Sequence, residues 1–237
     1  MAYLNWISDE DLIEATKNLL DKAGMIKIAA EKNINKNVVD PFSSLFQIGG
    51  FGIGYEEWFI GEITRQAQKS LQNHVGDFHQ NILGSVVGWD NKKTGSVIDL
   101  VNVDRMIIAE VKNKHNTVKG SDLVGVYDTL AEAVNRKMSV YKDFTAYYVT
   151  VIPPNTQRFN KPFTPSDNKK GQRREAIELV RAVDGASFYE LVTGDHYALR
   201  NLFNILPTII TELTGKVFDN QEVRSLLSLF NGAYGTE

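Results

Sequence analysis

Hydrophobic positions along the chain follow two rhythms. Over residues 55–73, Tyr55, Phe59, Ile63, Ala67 and Leu71 stand four apart while Glu56, Glu62, Arg65, Gln66, Lys69 and Gln72 fall mostly elsewhere, which predicts a long amphipathic helix. Leu12, Ile13, Thr16, Leu19, Leu20 and Ala23 keep the same spacing behind Ser8 and the acids Asp9, Glu10 and Asp11, predicting a packing helix that stops at Gly24. Ser121 and Asp122 open another helix, with Leu123, Val126, Tyr127, Leu130, Ala131 and Val134 as its core stripe. Asp195 caps one more, whose apolar Leu199, Leu202, Phe203, Leu206, Ile209, Ile210 and Leu213 exceed one buried face and which Pro207 is expected to kink or divide. Core burial is the common use of that surplus, a dimer face the other.

The second rhythm is β-branched. Residues 97–101 and 106–111 flank a polar break over 102–105, a hairpin signature. Residues 145–152 predict a further strand stopped by Pro153 and Pro154, and residues 187–192 a last one. Between the first two helices, residues 31–47 are polar and irregular, with Asn33, Asn35 and Asn37 before Asp40 and Pro41, and read as a loop with short turns. The glycine cluster Gly49, Gly50, Gly52 and Gly54 fits neither the dinucleotide fingerprint nor the Walker spacing, so a hinge or close backbone packing is expected there.

The hairpin carries the anomaly. Alternation puts Glu110, Lys112 and Lys114 on one face of its second strand, and Asp99 interrupts the first strand between Ile98 and Leu100. A four-residue loop over 102–105 sets Asp99 opposite Ile108 and diagonal to Glu110, about 7 to 8 Å away. Two carboxylates on one sheet face repel unless a hard cation such as Mg²⁺ lies between them.

Composition narrows the chemistry. The 237 residues suffice for a full core, and no apolar run approaches the ~20 residues of a membrane span. The acidic start is unlike a signal region, so a cytoplasmic protein without membrane contact is expected. The absence of cysteine excludes disulfides, thiol catalysis and cysteine-bound metal. A net charge of −3 leaves no blanket basic surface, yet residues 157–174 gather Arg158, Lys161, Lys169, Lys170, Arg173 and Arg174 against one acid, Asp167, with Phe159 and Phe163 as anchors. His74, Asp77 and His79 fit no zinc spacing; helix-end polar contacts are expected for His74.

Asp99 with Glu110-Val111-Lys112 resembles the PD-(D/E)XK nuclease superfamily, with Ile98 where the motif's proline would stand. An acid, any residue and lysine recur at Asp90-Asn91-Lys92 and Asp167-Asn168-Lys169, but in turn-forming stretches. The longer runs over 68–73, 78–84 and 108–122 are similar to type II restriction endonucleases that cut GGNCC sites, a likeness strongest over 55–127. It implies an α/β fold with a central mixed β-sheet flanked by helices, with extra N- and C-terminal helices. The expected organisation is one domain over 1–237: an N-terminal helical and loop region 1–54, a catalytic core 55–152, and 153–237 with the basic loop, a strand and C-terminal helices.

The resemblance further implies Mg²⁺ held by Asp99, Glu110 and the Val111 carbonyl, with Glu62 as a further candidate ligand whose other reading is a pair with Arg65. Lys112 would contact the attacking water or scissile phosphate, and the ends would be 5′-phosphate and 3′-hydroxyl. Lys114, His115, Asn116, Arg158, Lys169, Lys170, Arg173 and Arg174 are the candidate DNA contacts, and His79 is a candidate DNA-proximal residue. The partner would be double-stranded DNA, met by a homodimer without an organic cofactor. A repair or junction nuclease, a non-catalytic DNA-binding module and Asp104 as the first acid stay open.

Overall fold

A computed structural model describes residues 2–36, 38–92, 98–167 and 169–236. The chain divides into two compact units, Lys17–Asp77 and Met1–Thr16 with Phe78–Glu237. Its elements are α1 (Asp9–Asn33), α2 (Pro41–Phe51), α3 (Tyr55–Gly84), β1 (Asp90–Asn91), β2 (Leu100–Asn102), β3 (Ile107–Lys114), α4 (Gly120–Asn135), β4 (Thr145–Ile152), β5 (Asn160–Pro162), β6 (Ser166–Asp167), β7 (Gln172–Arg173), β8 (Val180–Asp184), α5 (Gly185–Thr193), α6 (Ala198–Thr214) and α7 (Asn220–Tyr234).

The larger unit is built on a six-stranded sheet in the order β1-β2-β3-β4-β8-β5. Strands β3, β4 and β8 run parallel, while β1 and β2 at one side and β5 at the other are antiparallel to their neighbours. This is the mixed α/β sheet the sequence predicts. The three parallel strands are almost wholly buried, because β3 to β4 crosses over through α4 and helices cover both faces. On one face Tyr127, Leu130 and Val134 of α4 meet Ile108, Ala146, Tyr148, Phe163 and Val180. Tyr148 stacks on Phe163 with ring centroids 4.6 Å apart, an arrangement contributing roughly 0.5–1.5 kcal/mol beyond its buried area. On the other face Phe188 of α5 packs edge-on to Trp89 and tilted against Tyr147.

Several elements differ from expectation. Residues 187–192 form a helix: Asp184 ends β8 and its carboxylate caps α5 by accepting from the Ser187 N–H, and Phe188, Tyr189 and Val192 then fall on one buried face at helical spacing. Gly185 makes the turn possible, since a Cβ there would lie 2.3 Å from the Val151 carbonyl oxygen. Helix α6 continues through Pro207 undivided, and its surplus apolar surface is covered in part by α7, where Phe203 meets Phe230. The hairpin turn is 103–106 and not 102–105, because Met106, with φ of 53°, belongs to the turn and cannot extend the strand. Val97, with Gly95 and Ser96 before it, lies outside the described residues.

In the smaller unit α1 passes Gly24 and runs to Asn33, carried by the helix-favouring Lys27, Ala29, Ala30, Glu31 and Lys32. The segment expected to be a loop contains α2: Asp40 accepts hydrogen bonds from the Phe42 and Ser43 N–H groups, and Pro41 occupies the first turn. Gly52, with φ of 67°, is the left-handed cap that ends α2, whereas a Cβ at Gly49, Gly50 or Gly54 would meet nothing, so close packing does not explain the cluster. Helix α3 continues past Asn73 to Gly84, which puts His74 inside it, bonded to Asp77 one turn on.

Candidate active site

Strand β3 supplies most of the site. Glu110 and Lys112 alternate with the buried Ala109 and Val111, and their side chains pair, Lys112 Nζ standing 2.5 Å from Glu110 Oε1. The first acid arrives from the far side of the hairpin. The ladder between β2 and β3 reaches Leu100 opposite Ala109 and then changes character: the Asp99 N–H donates to the Ala109 carbonyl at 2.9 Å, and Asp99 Oδ2 accepts from the Val111 N–H at 2.7 Å. Asp99 is thereby brought abreast of Glu110, closer than the diagonal placement expected from a turn over 102–105.

Glu110 is buried, with 7% of its surface exposed, and its Oε2 has no hydrogen-bond partner. Burial pushes its pKa up to about 7, the neighbouring Asp99 charge adds to the rise, and the Lys112 ammonium opposes it. As carboxylates the two acids can only accept; with a proton on Glu110 they hydrogen-bond to each other. Two converging carboxylates with one orphaned oxygen suit a hard divalent cation, which would replace that proton. The Val111 carbonyl faces the same side as its N–H, and the Gln80 amide approaches it at 3.5 Å, a long contact. Among the described residues no group of three His, Cys, Asp or Glu side chains comes together. Two acids and a carbonyl are the groups here that could hold a cation, and a cation so held would keep several waters.

Tyr148 of β4 stands beside Glu110 in register. Its hydroxyl is bonded to Thr150 and its pKa is pushed up to about 12, chiefly by burial and then by the Glu110 charge, so it remains a neutral wall of the site. Neither Tyr148 nor Gln80 was singled out from sequence. Tyr148 sits in an otherwise apolar strand, and Gln80 lies inside one of the runs that carried the family likeness.

Beyond Lys112, Lys114, His115 and Asn116 are exposed where β3 ends. The basic segment is more ordered than a loop. Strands β6 and β7 form a small ribbon on α4 with Lys169, Lys170 and Arg173 exposed. The buried Asp167 organises its turn by accepting from the N–H groups of Lys169 and Lys170. Arg174 is drawn inward to Asp128 at 2.6 Å, and Arg158 to Glu190 at 2.6 Å and Ser187 at 3.1 Å. Both act as tethers in this structure, while Arg173 donates to the Thr164 carbonyl from an exposed position.

Other sequence candidates are used structurally. His79, a candidate DNA-proximal residue from the sequence, is partly buried and bonded to the Tyr189 hydroxyl, and burial lowers its pKa to about 4, so it is neutral here. Glu62, in the smaller unit, is held by Arg65 at 2.6 Å and by Gln66, and these bonds lower its pKa against the opposing effect of burial. Of the two competing acid-lysine triplets, Asp90 lies on the short strand β1 and pairs with Lys92, while Asp167 ends β6 and opens the turn that carries Lys169 and Lys170.

The profile of the Eco47II restriction endonuclease family matches residues 4–215 of this chain. The chain belongs to that family. It is 47% identical over 240 residues to the type II restriction enzyme Eco47II of Escherichia coli, covering 99% of this chain and 100% of that enzyme. It is also 29% identical over 215 residues to the type II restriction enzyme Sau96I of Staphylococcus aureus, covering 89% of this chain and 80% of that enzyme. No solved structure matches it. As a family member the chain is a type II restriction endonuclease, a site-specific deoxyribonuclease whose substrate is DNA. No helix among the described residues is long and apolar enough to cross a membrane.

Proposed function

We propose that this endonuclease works through a PD-(D/E)XK site in which Asp99, Glu110 and the Val111 carbonyl hold Mg²⁺ and Lys112 serves the reaction, cutting a short GC-rich near-palindrome, GGNCC, as a cytoplasmic homodimer. The observation that carries the reading is the buried Glu110 Oε2, without a hydrogen-bond partner, beside a second carboxylate. Glu62 is left out of the ligand set because its oxygens are engaged by Arg65 and Gln66.

The bound cation would supply Lewis-acid polarisation of the phosphate and make water a competent nucleophile near neutral pH. The chain's own groups do the rest. Asp99 is fixed by the Val111 N–H, so its carboxylate is oriented before any ligand arrives. Glu110 must give up its proton to bind a cation, which ties activity to ionisation near pH 7. Lys112, paired with Glu110 in this structure, would place its ammonium on the scissile phosphate, where negative charge would grow as water adds to phosphorus. Rupture of the bond to the 3′ oxygen leaves a 5′-phosphate and a 3′-hydroxyl.

DNA would be gripped by Lys114, His115 and Asn116 at the end of β3 and by Lys169, Lys170 and Arg173 on the ribbon. Arg173 would be the arginine that reads a guanine edge, a reading supported by its exposure and by the commitment of Arg158 and Arg174 to acids. The test is digestion of bacteriophage DNA with Mg²⁺ or with chelator, followed by end sequencing. Discrete Mg²⁺-dependent fragments ending at GGNCC are expected. Discrete fragments at another sequence would overturn the site, and undiminished cutting in chelator would overturn the metal.

A further inference from the structure

Helix α2 is built inside out. Its polar Ser43, Ser44 and Gln47 line a cleft of the smaller unit together with Arg65 and Lys69. Its large apolar residues face solvent: Phe42 is 74% exposed, Leu45 66%, Phe46 75% and Phe51 70%. None of its residues is buried. Tyr55, directly after it, is 59% exposed and continues the surface. From Pro41 to Tyr55 there is no charged residue. Phe42, Leu45 and Phe46 share one side of the helix, while Phe51 falls at its end on the side of Ser44 and Gln47; at 150–250 Å² per aromatic side chain the shared side offers on the order of 400 Å² of apolar area, the size of patch that is often functional.

We propose that α2 is the surface through which two copies of this chain pair. That side supplies about half of the ~800 Å² that each partner contributes to a standard interface, enough for its apolar core, and the lack of charge matches such a core. The patch is also complementary to itself. Leu45 and Phe46 form a ridge, and one turn further the exposed Gly49 and Gly50 leave a notch in which an added Cβ would meet nothing. Two α2 helices crossing antiparallel about a two-fold axis between residues 47 and 48 set Phe46 of each copy against Gly49 of the other, and Leu45 against Gly50. A heterologous partner would need only one half of this pattern. The proposal deepens the homodimer reading given above and rests on it for its biological purpose, but its test reads mass and needs no cleavage.

The experiment is sedimentation equilibrium of the full chain at micromolar concentration, with far-UV circular dichroism as a control for folding. The wild type is expected to be a dimer. Phe46→Asp removes the ridge, and Gly49→Leu fills the notch while leaving every aromatic residue in place; each should weaken dimerisation at least tenfold without changing the spectrum. A wild type that sediments as a monomer, or folded variants that both remain fully dimeric, would overturn the proposal. Failure of the wild type to cut DNA would count against the function proposed above and leave the sedimentation result standing.

Discussion

Glu110 is a carboxylate held against its preference, and the cost is measurable. Its pKa rises from an ordinary 4.5 to about 7 in the folded chain, so the folded state binds more protons than the unfolded state between those values. The native state therefore keeps its full stability from this group below about pH 4.5 and loses it as pH rises through about 7. At 1.36 kcal/mol per pKa unit the loss at pH 8 approaches about 3 kcal/mol. Glu110→Gln removes the buried charge, though it also gives up the Lys112 pair, so a net gain of about 1–3 kcal/mol at pH 8 is expected. The assay is urea unfolding of both proteins in chelator at pH 8 and pH 5. The difference should fall below about 1 kcal/mol at pH 5, and Mg²⁺ at pH 8 should stabilise the wild type alone. Equal stability at pH 8, or a less stable glutamine variant, would refute the reading of Glu110 as a buried acid that the Lys112 ammonium only partly compensates.

Other expectations follow from the same geometry. Lys112→Met should lower single-turnover cleavage on the order of 10²–10³-fold while changing DNA affinity, measured by gel shift, only a few-fold. Replacing Lys169 and Lys170 together with alanine should weaken DNA binding and reduce the slope of log affinity against log salt by about 2. Arg174→Ala should instead lower the melting temperature, because the arginine ties the ribbon to Asp128 of α4. Gly185→Ala places a Cβ 2.3 Å from the Val151 carbonyl oxygen, and a loss of about 2 kcal/mol or more in chemical denaturation is expected.

The core strands were legible because their signals are local. Strand β4 occupies the residues its apolar run and the following prolines predict, and the alternation of Glu110 and Lys112 needs only the strand's period of two. The hairpin register was harder, since one residue with positive φ at Met106 shifts the turn and draws the acids together. Helix α5 resembles a strand in sequence because its capping Asp184 and its close-packed Gly185 precede the apolar run, where a sequence shows an acid and a glycine but not the strand they touch. Helix α2 hid behind asparagines although Asp40 and Pro41 announced it. Arginine roles were the least accessible. Arg158 and Arg174 look like free basic residues until the fold brings in Glu190 and Asp128, 32 and 46 positions away.

The hydrogen bond from Val111 to Asp99 has a consequence for recognition. The peptide that holds Asp99 by its N–H sits between Glu110 and Lys112, so the three side chains proposed for the site are referred to a single short length of β3. On the functions proposed for them, changes in the ribbon or in α2 would alter recognition or assembly without moving Asp99, Glu110 and Lys112 apart. Recognition built on such a scaffold would be separable from the proposed cutting groups, because these share one strand and its immediate hydrogen bonds.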